Sequence, residues 1–313
     1  MSTAQRIPND RGLSARMFVT GLLLVVLYGV FVGVLFAVGL SLGLILVIAV
    51  GMLFAQYWFS DKIALWGMHG RLVTREEAPE LHGVVDRLCA LADMPKPRVA
   101  IADTDVPNAF ATGRSPKAAV VCATTGLLRR LDEPEVEAVL AHELSHVAHR
   151  DVAVMTIASG LGMMAGLLTR AMFYAGLFGG GNRNDQNGSQ LAAMEAIVML
   201  VSIVVYAISF LLTRALSRYR ELAADRSGAI LTGRPSVLAS ALVKVTGEMS
   251  RIPTGDLRKA EPFNAFFFTP AIAQRRGQGG QGFSLSNIFA THPPLEQRLA
   301  QLAEIEVQLG QAR

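Results

Sequence analysis

The hydrophobic and polar positions of this chain fall into long blocks. No charged residue occurs from Met17 to Ser60. As a single helix that run would reach roughly 66 Å, about twice a hydrocarbon core of roughly 30 Å, so it predicts two spans and a turn. Gly39, Ser41 and Gly43 mark the turn. A third apolar block runs from Val152 to about Phe178, interrupted by Arg170. A fourth runs from about Leu191 to Thr213, with Glu195 near its start. Between these two lies the polar stretch GGGNRNDQNGSQ. The pattern predicts two membrane hairpins, four spans in all. A buried helical hairpin in a soluble domain is the alternative for the second pair. The first run is too long for a removable signal peptide and lacks a clear cleavage site.

Shorter periods occupy the rest. Glu76 to Leu91 reads as an amphipathic helix, and Arg98–Ala102 and Ala118–Ala123 read as short strands rich in Val, Ile and Ala. Asn108 to Thr112 reads as a third strand, ended by Gly113. The segment from Arg251 to Asn287 is irregular, with FNAFFF followed by RRGQGGQG, and is expected to be a mobile loop.

Composition supports the block reading. Of the 313 residues, 51% are hydrophobic and only 17% charged, which points to membrane spans. The net charge of +4 comes with no basic run of the kind that binds nucleic acid. Two cysteines, Cys89 and Cys122, sit in no metal-binding pattern and are expected to be reduced and buried. Basic residues flank the spans on one side: Arg6, Arg11 and Arg16, then Lys62 and Arg71, then Arg150, then Arg214, Arg218 and Arg220. Both termini and the segment between the hairpins are therefore expected to be cytoplasmic. The expected organisation is a tail over 1–16, a first hairpin over 17–60, a first catalytic part over 61–151, a second hairpin over 152–213, and a second catalytic part over 214–313.

The chemistry concentrates in AVLAHELSHVAHRD, residues 138–151. Asp132, Pro134 and Glu135 form a start signal for a helix through it. On such a helix His142 and His146 stand one turn apart on one face and can chelate one zinc ion. Glu143 points to an adjacent angle and can take a proton from the water such an ion activates. A catalytic zinc needs a third protein ligand. The candidate is Glu221 in RYRELAADRSG, because His146 lies roughly 9 Å of helix from the third span and Glu221 roughly 10 Å from the fourth. Asp225, one turn on, can orient a ligating imidazole. Salt bridges from Glu221 and Asp225 to Arg218 or Arg220 are the alternative. His149 reads as a surface residue, and His69 and His82 as structural. His292, in ATHPPLEQRL, can donate to an oxyanion or belong to a helix start.

AHELSH, SRYRELAAD, PNAFATG and THPP, in that order along the chain and with two hairpins, make it similar to the HtpX family of membrane zinc metalloproteases. The resemblance implies one zinc per chain, held by His142, His146 and Glu221, with Glu143 as the catalytic glutamate. It implies that Asn108 and Ala109 lie on an edge strand that pairs with substrate backbone, and that His292 faces the scissile carbonyl. It also implies a bacterial inner-membrane endopeptidase acting on misfolded or damaged membrane proteins. The Gly/Gln-rich run after FNAFFF departs from the family pattern and leaves substrate access open.

The expected fold is a mostly α membrane protein: four transmembrane helices with a cytoplasmic α+β zincin-like domain and a small sheet. The expected partners are polypeptides and the lipid bilayer, with no nucleic acid. A protease with HExxH inside a span is disfavoured by Asp132, Glu133, Arg150 and Asp151 around that helix. A non-catalytic scaffold with a structural zinc is disfavoured by Glu143, which structure alone does not need.

Overall fold

The computed structural model describes residues 11–39, 41–178, 186–249, 268 and 292–311. In chain order the elements are α1 (Arg11–Ala37), α2 (Leu42–Trp58), α3 (Ser60–Gly67), β1 (Gly70–Leu72), α4 (Pro79–Ala92), β2 (Arg98–Ala102) and β3 (Ala109–Thr112). They continue with a 3₁₀ turn (Pro116–Ala118), β4 (Val120–Thr124), α5 (Thr125–Arg130), α6 (Glu133–Ala148), α7 (Asp151–Phe178), α8 (Gln186–Thr232), α9 (Pro235–Met249) and α10 (Leu295–Gln311). Two compact units result. One comprises 15–57 and 154–216, the other 1–14, 58–153 and 217–313.

The first unit is helical. Phe31, Leu35, Ile45, Met164, Ala165 and Val205 are buried among its helices, while Phe18, Val25 and Leu200 are among many large apolar side chains left exposed. Apolar residues on every face suit a helix surrounded by lipid. Two polar side chains inside it bond across helices: Tyr28 Oη donates to Ala158 O at 2.5 Å, and Gln56 Nε2 to Ser159 Oγ at 3.1 Å. Three described helical stretches are long and apolar enough to cross a membrane: Ser14–Ala37, Asp151–Ala171 and Ala192–Thr232. A fourth crossing counts only when α2 and α3 are taken together across a break at Phe59. The reason is length, since the 17 residues of α2 rise only about 25 Å. The turn before α2 uses Gly39 at φ +91°. Helix α8 begins at Gln186, so part of the polar stretch expected as loop is helical, and residues 179–185 lie outside the described residues. The expected loop over 251–287 also lies outside them, except Phe268.

The second unit holds a four-stranded sheet of order β1-β2-β4-β3. β2 and β4 are parallel in the register Ala100↔Cys122, and both outer pairs are antiparallel. All five residues of β4 are buried, as a central strand between helices requires. Val85, Leu88, Leu127, Val139, Leu140, Leu144, Leu238 and Leu242 complete this core. Burial pushes the thiol of Cys122 up to about 12 and that of Cys89 to about 11, so both are unreactive, as expected. The short β1 was not legible: three residues of GRL carry no alternation. Gly113, at φ +122°, ends β3, where a Cβ would meet Ala118 O.

Candidate metal centre

Helix α6 forms as its start signal predicts. Glu135 completes a capping box with Asp132, and its carboxylate accepts from Lys244 at 2.8 Å and Ser240 Oγ at 2.8 Å. Burial alone would raise the Glu135 carboxyl; Lys244, Ser240 and the Asp132 amide outweigh it and hold it below the ordinary value. Two turns further, α6 carries His142, Glu143 and His146, with His142 and Glu143 buried and His146 partly so.

Helix α8 crosses to α6 through Gly228. A Cβ there would stand 2.8 Å from His142 N and 3.0 Å from its Cα, so only glycine permits this approach. The approach brings Glu221 to the two histidines. His142 Nε2 and His146 Nε2 are 3.2 Å apart; Glu221 Oε2 is 3.6 Å from the first, and Oε1 is 3.4 Å from the second. Ligand atoms about 2.0–2.1 Å from one tetrahedral ion stand roughly 3.3–3.4 Å from each other. Among the described residues these three are the group whose ligand atoms converge, and Glu221 Oε2 is buried with no hydrogen-bond partner there. The residues fit a small divalent cation.

Charge agrees with geometry. Burial favours neutral imidazole at His142, but Asp225 and Glu221 outweigh it and raise its pKa; Glu221 does the same for His146. Burial opposes charge on Glu221, yet His292, His142 and His146 hold it well below its ordinary value. A field that draws positive charge onto imidazoles also favours a cation among them.

Around the cluster each histidine has a carboxylate at its far nitrogen. Asp225 Oδ1 lies 2.9 Å from His142 Nδ1, as the helical spacing of Glu221 and Asp225 predicts. Asp225 in turn takes two bonds from Arg298, at 2.6 and 2.7 Å. Asp151 Oδ2 lies 2.6 Å from His146 Nδ1 and is paired with Arg220. Sequence reasoning missed Asp151, Arg220, Arg298 and Gly228 in these places. The position of Asp151, five residues after His146, was a usable signal; Arg298 offered none.

Glu143 faces the sheet. Its Oε2 accepts the Ala111 N–H at 3.0 Å, and burial raises its pKa, only partly offset by the two histidines. β3 is an edge strand. Asn108 N donates to Thr124 Oγ1 and Asn108 O accepts from Thr124 N, both at 2.9 Å, so the backbone of Asn108 faces β4. By the two-residue period of a strand, Ala109 and Ala111 present their backbone groups to the free edge. Ala109 thus lies on the free edge of the sheet. Asn108 departs from the resemblance: its backbone is spent on Thr124, and its Oδ1 accepts from Phe268 N at 2.8 Å. Phe268 is itself buried, its ring edge-on to His142 at 5.0 Å and its carbonyl accepting from Arg298. His292 is buried with Nδ1 3.1 Å from Glu221 Oε2, and its Nε2 has no hydrogen-bond partner among the described residues. His149 is exposed, while His82 is buried against Val73 O and Lys96.

Residues 75–306 match the description Peptidase family M48. The chain is 61% identical over 307 residues to a protein of Streptomyces coelicolor named Protease HtpX homolog 1, covering 98% of this chain and 97% of that one. It is 51% identical over 310 residues to a Protease HtpX homolog of Moorella thermoacetica, covering 99% of each. The crystal structure of S. mikatae Ste24p shares the fold at a TM-score of 0.55 with 16% identity, covering 94% of this chain and 67% of that one. The molecule is a membrane metalloendopeptidase. The chain belongs to peptidase family M48 and, within it, to the HtpX metalloproteases.

Proposed function

We propose that the chain is a zinc-dependent endopeptidase that cleaves misfolded or damaged membrane proteins at the cytoplasmic face of a bacterial inner membrane. Four spans, over 17–60 and 152–213, would carry a zincin-like catalytic part formed by 61–151 and 214–313. The observation that carries the reading is the position of Glu143, between the three converging ligand atoms and the free edge of β3.

His142, His146 and Glu221 would hold one zinc per chain, and Asp225 would fix the ring of His142. Zinc, when bound, supplies Lewis acidity toward a peptide carbonyl and makes water a nucleophile near neutral pH. An extended polypeptide would add to β3 through the backbone groups of Ala109 and the carbonyl of Ala111, whose N–H is given to Glu143, as in strand augmentation. Asn108 would act indirectly, tying β3 to Phe268. Glu143 would take the proton of the attacking water and pass it to the leaving amine; its raised pKa suits both tasks. His292 Nε2 would donate to the developing oxyanion.

The test is cleavage of an unfolded model protein by the purified chain and by Glu143→Gln, with zinc measured in both. The expected result is a loss of roughly 10²–10⁴ in rate with zinc retained. Undiminished cleavage by the variant would refute the assignment. In parallel, Glu221→Ala is expected to lose both metal and activity.

A further inference from the structure

The short helix α3 has two unlike faces. Asp61 and Ala64 are buried on the inner one, where Asp61 accepts from Arg98 of β2 at 2.7 Å, and the helix packs against β1 and β3. On the outer one Phe59 is 43% exposed, Ile63 50% and Trp66 80%. These positions, i, i+4 and i+7, fall within about 60° of arc on a helix. Lys62 lies beside the stripe, its Nζ 5.6 Å above the Phe59 ring, and the guanidinium of Arg114 sits 4.3 Å above Trp58.

We propose that this face is a lipid-contacting surface: α3 lies along the headgroup layer of the bilayer with Phe59, Ile63 and Trp66 turned into it. Three observations select lipid as the occupant. Along the chain the stripe begins one residue after Trp58, the last residue of the apolar helix α2. Tryptophan beside lysine and arginine is the composition of the membrane–water boundary, where an amphipathic ring and a long cationic stem each find both phases. The inner face is held by an ion pair to the sheet, so α3 belongs to the sheet-bearing unit and is not simply the end of a span. An isolated tryptophan at this exposure in water would leave its whole ring unburied.

The surface adjoins the end of β3, because Arg114 follows Gly113 and α3 packs against that strand. On the reading that β3 receives substrate, a membrane polypeptide drawn from the bilayer would meet the edge strand at this patch. The experiment below reads lipid contact without activity, so its failure leaves the protease reading standing.

The chain has two tryptophans, so Trp58→Phe leaves Trp66 as its one tryptophan, excited selectively at the red edge of the absorption band, where the tyrosines do not absorb. The full-length variant is placed in phosphatidylcholine–phosphatidylglycerol vesicles carrying brominated acyl chains. Blue-shifted emission, quenched by bromines nearest the headgroups and shielded from aqueous acrylamide, is the expected result. Emission open to acrylamide and indifferent to bromolipid would overturn the proposal. So would shielding from both quenchers that is lost on dilution with lipid, which would mark a contact between copies. If Trp58→Phe misfolds, Trp66→Cys serves instead, since Cys89 and Cys122 are buried and unreactive. A spin label there should collide with oxygen more than with a water-soluble nickel chelate; the opposite order would refute the proposal.

Discussion

The two histidines of α6 are supported in unlike ways. Behind His142 stand Asp225 and Arg298, whose side chains are 0% and 2% exposed. They come from α8 and α10, far from His142 and from each other along the chain. Behind His146 stand Asp151 and Arg220, at 9% and 8%, and His146 itself is 16% exposed. Asp151 is five residues from its histidine and Arg220 is next to Glu221. Each support joins three helices, α6, α8 and α10 behind His142 and α6, α7 and α8 behind His146, and the first also holds the Phe268 carbonyl. A remote, fully desolvated ion pair is part of the architecture, and losing one partner leaves a buried charge unpaired. A pair local in sequence and slightly less buried positions one ring.

The sharpest way to break this contrast is Arg298→Met, which strands Asp225. Its expected cost is about 3–5 kcal/mol of stability, read from denaturation in detergent. The matching Arg220→Met should cost visibly less; equal costs would mean that the two supports are equivalent. Next in size, Asp225→Asn removes the acceptor behind His142, and zinc affinity should fall about 100-fold in a chelator competition. Asp151→Asn should weaken it about tenfold, the low end of the same range. A reversed order would place the more important support on the His146 side.

The smallest effect tests the far end of the same helix. Glu135 has its folded pKa lowered, so its contribution is fully present above its unfolded pKa and is lost as the pH falls through the folded value. Glu135→Gln should therefore cost about 1 kcal/mol near neutrality and approach nothing in acid, with zinc affinity unchanged. A loss of zinc there would show that the metal centre senses the helix start.

What could be read from the chain follows the same line between local and remote. His142, Glu143 and His146, the start of α6, and the pairing of Glu221 with Asp225 depend on helical spacing alone, and all stand where that spacing puts them. Glu221 was singled out by the length of chain between it and the fourth hydrophobic block; in the structure the close approach of α8 to α6 at Gly228 brings it to the histidines. Arg298 was invisible: it sits six residues past His292, on a helix whose contact with Asp225 exists only after folding. Gly228 looked like any glycine, since its reason is the backbone of α6 across a tertiary contact. The break at Phe59 could not be read from the Met17–Ser60 block, because an absence of charge does not mark where a helix bends. Asn108 was read as a strand residue open to a partner; register with Thr124 decides which of its neighbours faces outward, and register is not a property of one segment.

The order of the ligands along the chain has a consequence for synthesis. α6 leaves the ribosome with both histidines long before the stretch of α8 that bears Glu221, and the hydrophobic blocks of α7 and early α8 lie between them. Until those blocks have been made, the nascent chain holds two of the three converging residues and lacks the third. The three groups that converge in the metal centre can therefore meet only after both hydrophobic blocks have been made.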